Sequence, residues 1–249
     1  MTRWAVRVAR VALLVLGAAT LGACGASPVP VGPAGIDGLT IPTSRPDPAD
    51  FTWRVDNPWF PLDPGTRWTY TRYTDTEVGR VTAVVLPGRR RIDGVETTAV
   101  RYDDHLAHGR TTLAGVRWYA EDTAGNVWWF GQRVHGGTPL DQLATHSWRA
   151  GRDGAEAGLL LSAAPRIGDG YANGYLRGTV ERRSTVMSLD ATVALPHGRY
   201  HGAVETDDRS GLEPVVEVQS YFAPGVGLVA QQTVAGGSTS LALLTVRRP

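Results

Sequence analysis

Val78-Gly79-Arg80-Val81-Thr82-Ala83-Val84-Val85-Leu86 and Val95-Glu96-Thr97-Thr98-Ala99-Val100-Arg101-Tyr102 flank the dipeptide Asp93-Gly94. Two β-branched, apolar runs around an Asp-Gly turn predict a β-hairpin, because that dipeptide tolerates the positive φ that tight hairpin turns require. Pro87-Gly88 is expected to close the first run. The pattern continues on both sides. Thr66–Tyr73 alternates, with Trp68 and Tyr70 on one side and Thr69 and Thr71 on the other. Leu113–Ala120 and Val127–Val134 flank Asp122-Thr123-Ala124-Gly125-Asn126, another hairpin loop. Leu176–Met187, Ala191–Leu195, Arg199–Thr206, Val215–Phe222, Gly227–Val234 and Thr239–Arg247 also read as strands, most of them separated by turn residues. No window carries a long 3.6-residue apolar period, and no repeat is evident. The expected fold is all-β and mainly antiparallel: a curved sheet, half-barrel, barrel or sandwich. Thr138 to Tyr171 breaks the rhythm and reads as a long Gly/Ala-rich crossing loop with room for a short helix.

The first residues read differently. Arg3, Arg7 and Arg10 precede an apolar run, and Leu21-Gly22-Ala23-Cys24 has the form of a lipobox. The uncharged stretch Val11–Ala23 is 13 residues long, short of the roughly 20 needed to span a bilayer. Cys24 is the only cysteine, so it cannot form an internal disulfide, and lipidation gives it a purpose. Residues 1–23 therefore read as a lipoprotein signal peptide and Cys24 as the lipid attachment point, through a thioether-linked diacylglyceryl group and an N-acyl chain such as palmitate. Pro28, Pro30, Pro33, Pro42, Pro46 and Pro48 make residues 24–50 a tether, reaching up to roughly 80 Å if extended at about 3.1 Å per residue. Residues 51–249 are expected to form a single β domain.

Composition excludes several chemistries. All 25 basic residues are Arg, which rules out a P-loop lysine, a Schiff base and a Ser-x-x-Lys dyad. Without residues 1–23 the chain carries 22 basic and 24 acidic side chains, a formal charge of −2. That balance gives no footprint for nucleic acid.

Four islands carry a family resemblance. They are Asn57-Pro58-Trp59-Phe60-Pro61-Leu62-Asp63-Pro64-Gly65-Thr66-Arg67-Trp68-Thr69-Tyr70; Trp118-Tyr119-Ala120-Glu121-Asp122 with Gly125-Asn126-Val127-Trp128-Trp129-Phe130-Gly131; Trp148-Arg149-Ala150-Gly151-Arg152-Asp153-Gly154-Ala155; and Tyr221-Phe222-Ala223-Pro224-Gly225-Val226-Gly227-Leu228-Val229. Together they resemble a family of uncharacterised exported bacterial proteins, often lipoproteins, with the pattern NPYFPLxPGTxWxY, WYAQDxxGNVWYFGE, SWxAGxDGA and YAPGVGLV. The resemblance implies an extracytoplasmic all-β domain of unknown function and supplies no reaction. This chain has Gln132 where relatives carry Glu, and Gly174-Tyr175 and Val180-Glu181-Arg182 where relatives are more acidic.

Candidate sites follow from residue chemistry. Asp103-Asp104-His105 with His108, and His197 with His201, hold ligand-type side chains but match no spaced metal signature, so no metal site is read. No nucleophile elbow surrounds any serine, and no cofactor motif occurs. Trp118, Tyr119, Trp128, Trp129 and Trp148, with Asp122, Asn126, Asp153 and Asp169, form the candidate ligand cleft. Aromatic rings with polar tips can hold sugars or acyl chains, and they also fill cores. Strand alternation sends Trp128 and Trp129 to opposite faces, so one is expected in the core and the other toward solvent or a cleft. The expected role is a membrane-anchored, non-enzymatic binding or structural domain of the cell envelope for an apolar or glycan ligand. The alternative is an envelope hydrolase using Asp/Glu residues of the 138–171 loop, which would require Glu121, Asp122, Asp153 and Asp169 to converge in a pocket.

Overall fold

The computed structural model describes residues 47–52, 54–105, 111–135, 146–176, 179–211 and 214–249, without the side chains of 111–114 and 179–181. Residues 1–46, where a signal segment, the lipidated Cys24 and most of a tether are expected, lie outside the described residues. A 3-10 turn, Pro48–Asp50, leads into the strands β1 (Phe51–Thr52), β2 (Arg67–Tyr73), β3 (Val78–Ile92), β4 (Val95–His105) and β5 (Thr111–Asp122). There follow β6 (Val127–Val134), β7 (Trp148–Arg149), β8 (Glu156–Leu161), β9 (Gly170–Leu176) and β10 (Thr179–Leu195). The chain ends with β11 (Gly198–Ser210), β12 (Glu217–Ala223), β13 (Gly227–Ala235) and β14 (Ser240–Arg247).

The order β5-β4-β3-β2-β14-β13-β12-β11-β10-β9-β8-β6 returns to β5, so twelve of the described strands close an antiparallel barrel. The ends of the folded chain meet where β14 pairs with β2. β1 and β7 add to β5 and β6 outside the ring. The fold is all-β, as the alternation predicts.

The Asp93-Gly94 hairpin forms with φ of 48° and 82° at the two residues, the left-handed pair that a two-residue turn demands. Three expectations need correction. β3 does not stop at Pro87-Gly88 but runs on to Ile92, because a bulge between Val85 and Arg89 accommodates a residue with no N–H to donate. Leu176–Met187 is not one strand: Leu176 ends β9, and β10 continues through Met187 to Leu195 by way of bulges at Val186/Ser188, Ser188/Ala191 and Ala191/Val193. The 138–171 stretch is not one crossing loop either, since it contains β7, β8 and the start of β9, and none of its described residues is helical.

About eight strands already give an interior that side chains just fill, so a twelve-stranded ring must fill more. Trp68, Tyr70, Val81, Ala83, Val100, Tyr119, Trp129, Leu241 and Leu243 are all buried in one cluster, with Tyr102 packed against it. The 54–65 segment crosses one end of the barrel and adds Val55, Phe60 and Leu62 to that cluster. This cap is fastened to the turns it crosses. Asn57 Nδ2 donates to Gly125 O (2.7 Å), Trp59 Nε1 to Ala163 O (3.3 Å) and Gly225 N to Pro58 O (2.7 Å).

Candidate functional site

A cavity of about 70 Å³ lies within the barrel beneath the cap. Its apolar walls come from Phe60, Leu62, Trp68, Val81, Phe222 and Leu241. Polar groups enter from Tyr70, Tyr102, Arg117, Tyr119, Arg182 and Gln231. Phe60 of the cap lines it, with its ring edge-on to Tyr119 at 5.1 Å and to Phe222 at 6.1 Å. The alternation of β2 delivers Trp68, Tyr70 and Arg72 to the lumen in sequence. Trp68 Nε1 donates to Val226 O (2.7 Å) and Tyr70 Oη to Leu228 O (3.0 Å), which orients both rings.

Polarity is graded along the lumen. Toward the end away from the cap, Arg182 Nη2 lies 2.7 Å from Asp208 Oδ2, both side chains almost fully buried. Ser184 Oγ and Ser220 Oγ each approach an Asp208 oxygen at 2.5 Å, and Thr206 Oγ1 donates to it at 3.1 Å. Gln231 Nε2 donates to Ser220 Oγ (2.9 Å), and Asn173 Nδ2 donates to Leu159 O (2.7 Å). Arg72 pairs with Asp104 at 3.3 Å and with Glu77 at 2.9 Å. Burial pushes the Asp104 carboxyl above its ordinary range, against the opposing pull of Arg72. Burial also holds the Tyr70 and Tyr102 hydroxyls well above theirs, reinforced by Tyr119, so both stay protonated donors at neutral pH. The Arg117 guanidinium sits 5.3 Å from the Tyr102 ring and 5.6 Å from the Trp129 ring.

The sequence-derived candidates fall in several places. Tyr119 lines the cavity. Trp129 joins the lumen cluster and packs edge-on against Trp148 at 5.0 Å. The Trp148 ring lies over Gly174, where a Cβ would come within 2.8 Å of it. Trp118 and Trp128 belong to a second cluster with Ile92, Val95 and Phe130. Phe51 of β1 covers Trp128 and Phe130 edge-on, at 6.1 and 5.2 Å. Alternation does separate Trp128 from Trp129, but both are buried, at 3% and 2% exposure. The expectation that one ring faces solvent or a cleft is therefore corrected: β1 and its neighbours cover the outer wall where Trp128 lies.

The polar candidates hold turns. Asp122 accepts from Ala124 N, Asn126 N, Asn126 Nδ2 and Trp128 Nε1, each at 2.9 Å. Asn126 Oδ1 accepts from Ser162 Oγ and Ala163 N, both at 3.1 Å. Asp169 is buried and accepts from Arg166 N (2.8 Å) and Tyr171 Oη (3.3 Å). Asp153 is exposed in a turn with φ of 53°. Glu121, with Oε2 accepting from Asp56 N (2.8 Å) and Asn57 N (2.7 Å), clamps the cap to β5. Its carboxyl is raised to about 7, chiefly by burial and then by the facing Asp56 side chain. Glu121, Asp122, Asp153 and Asp169 are all absent from the cavity wall, so the convergence that a two-carboxylate hydrolase requires is missing. Among the described residues no three His, Cys, Asp or Glu side chains gather as a metal site would need.

The lumen residues Phe60, Tyr70, Tyr102, Arg117 and Arg182 were not among the sequence-derived candidates. The alternation of Trp68 with Tyr70 was the available signal; ring closure, which makes their face a lumen, was not.

Fold and site together define a closed antiparallel β-barrel with a small capped lumen. No family model matches the chain, and no curated protein matches it. Among solved structures, the chain is similar to a protein of Bacteroides fragilis assigned as exported and as having a YmcC-like fold. That likeness has 15% identity, covers 76% of this chain and 99% of the other, and gives a TM-score of 0.46. A second similar structure is a protein of Parabacteroides distasonis assigned as a lipoprotein, with 10% identity, 76% and 98% coverage and a TM-score of 0.41.

Proposed function

We propose that this chain is a non-enzymatic envelope lipoprotein whose barrel lumen holds the apolar part of a ligand beneath the 54–65 cap. The observation that carries this reading is the aromatic cavity against which Phe60 of the cap packs. At about 70 Å³ it is far below the roughly 300–1,000 Å³ of ligand pockets, so occupancy requires the Phe60 ring to swing aside. The gradient from aromatic walls at the cap to hydroxyls and guanidinium groups farther in matches a molecule with an apolar tail and a polar end. Anchoring outside the cytoplasm rests on Arg3, Arg7 and Arg10, the apolar run and Cys24.

The test is quenching of tryptophan fluorescence by dibromostearate, on the chain beginning at Asp47. Trp68 and Trp129, on the lumen side, are the reporters. Saturable quenching is expected, tightened in Phe60→Ala and lost in Ala83→Phe, whose ring fills the cavity. An unquenched wild type, or equal quenching of all three chains, overturns the lumen reading.

A further inference from the structure

The outer wall of β14, β2, β3 and β4 carries an open groove of about 990 Å³, separate from the lumen. Its floor is a threonine row: Thr245, Thr69 and Thr82 stand side by side across three strands, with Thr71 beside Arg80 in a neighbouring row. Thr82 faces outward yet is only 8% exposed, with His105 Nε2 3.4 Å from its Oγ1. Arg80 lies opposite His105, and Arg67 opposite Arg247. Arg101 sits in the same row as Arg67, one strand beyond Val84.

The charge on this face is one-sided. Arg67, Arg80, Arg101 and Arg247 are exposed, and Asp103, held by Arg101 at 3.0 Å, is the one carboxylate in these rows. Among the described residues no carboxylate lies within ion-pairing distance of Arg67, Arg80 or Arg247. Yet acidic side chains are nearly as numerous as basic ones in the whole chain, 24 against 25. The Arg67, Arg80 and Arg247 guanidinium groups, which line the groove, are spread over three strands and about four residues of strand length, roughly 10 Å by 13 Å at ordinary strand spacings. A lone phosphate cannot reach across that span, and a flat lipid surface does not enter a recess. A chain molecule with charges at intervals fits both.

We propose that this groove binds a linear, carboxylate-bearing polysaccharide. Its carboxylates meet Arg67, Arg80 and Arg247, while its hydroxyl groups exchange hydrogen bonds with the threonine floor. The assignment is independent of the lumen and survives an empty one.

The test is fluorescence anisotropy of labelled polygalacturonate with the full chain held in neutral detergent micelles. Binding is expected at low salt and weakens as salt screens the exposed charges. Arg67→Gln/Arg80→Gln/Arg247→Gln should lose about tenfold in affinity, since each exposed pair is worth a few-fold. Its thermal unfolding should match the wild type. Arg183→Gln/Arg199→Gln, exposed elsewhere on the barrel, should bind as the wild type does. Fully methyl-esterified polymer should not bind. The proposal is overturned by absent binding, by equal loss in both sets of variants, or by polyphosphate competing better per charge than the polyuronate.

Discussion

Glu121 joins a buried carboxyl to two backbone donors of the cap, so its protonation bears on how firmly the cap is held. Its folded-state value, about 7, lies above the ordinary 4.5. A group raised in this way contributes stability in full below about pH 4.5, and that contribution is lost as the pH rises through about 7. The urea midpoint of the wild type should therefore fall between about pH 5 and pH 8. Glu121→Gln keeps an acceptor for the two N–H groups and a donor toward Asp56, so its profile should be flatter over that window. A variant with the wild-type slope would move the titration elsewhere. Trp128 and Trp129 make a second test at this scale. Each is buried in a different cluster, and removing a buried Trp typically costs about 3–5 kcal/mol. Chemical denaturation should show Trp128→Ala and Trp129→Ala both severely destabilised. If one of them unfolds like the wild type, its side of the wall is not packed as described.

Between elements, the lumen network ties β9 through β13 together by way of Asn173, Arg182, Ser184, Thr206, Asp208, Ser220 and Gln231. Asp208→Ala removes the carboxylate that lies 2.7 Å from the buried Arg182 guanidinium, and breaking a buried pair in this way costs about 3–5 kcal/mol. Converting the partner as well, in Asp208→Ala/Arg182→Met, should recover much of that loss in urea unfolding. If the double variant is no better than the single one, the penalty does not come from the broken pair. These elements also mark what the sequence made legible. Strand periodicity and Asp93-Gly94 set the β class, because alternation and turn chemistry are local. Pro87-Gly88 misled the reading because a bulge lets β3 pass a residue that ordinarily ends a ladder. Strands β8 and β9 were hidden because Gly158, Gly170 and Gly174 dilute their pattern. The cavity was not legible from Trp68 and Tyr70 alone, since a lumen exists only once β6 pairs with both β5 and β8.

For the whole molecule, the proposed division of work is that the tether sets the place and the barrel the binding. Cys24→Ala should abolish metabolic labelling with palmitate and release the chain from membranes. Membrane association that persists unchanged, with no acyl label on the wild type, would remove the lipoprotein reading. The closed barrel explains why so many aromatic residues lie inside without forming an open cleft. A ring of twelve strands leaves space that Trp68, Tyr70, Tyr119, Trp129 and the Phe60 cap nearly fill. What remains is a small capped lumen, so the most direct measurement is the intermolecular nuclear Overhauser effect from acyl-chain protons of stearate to the methyl groups of the protein. Cross-peaks to Val81, Val100 and Leu241, which line the cavity, are expected, and they should disappear in Ala83→Phe. Cross-peaks confined to the exposed Val78, Met187 or Val215 would contradict a lumen site and place the acyl chain on the outer surface.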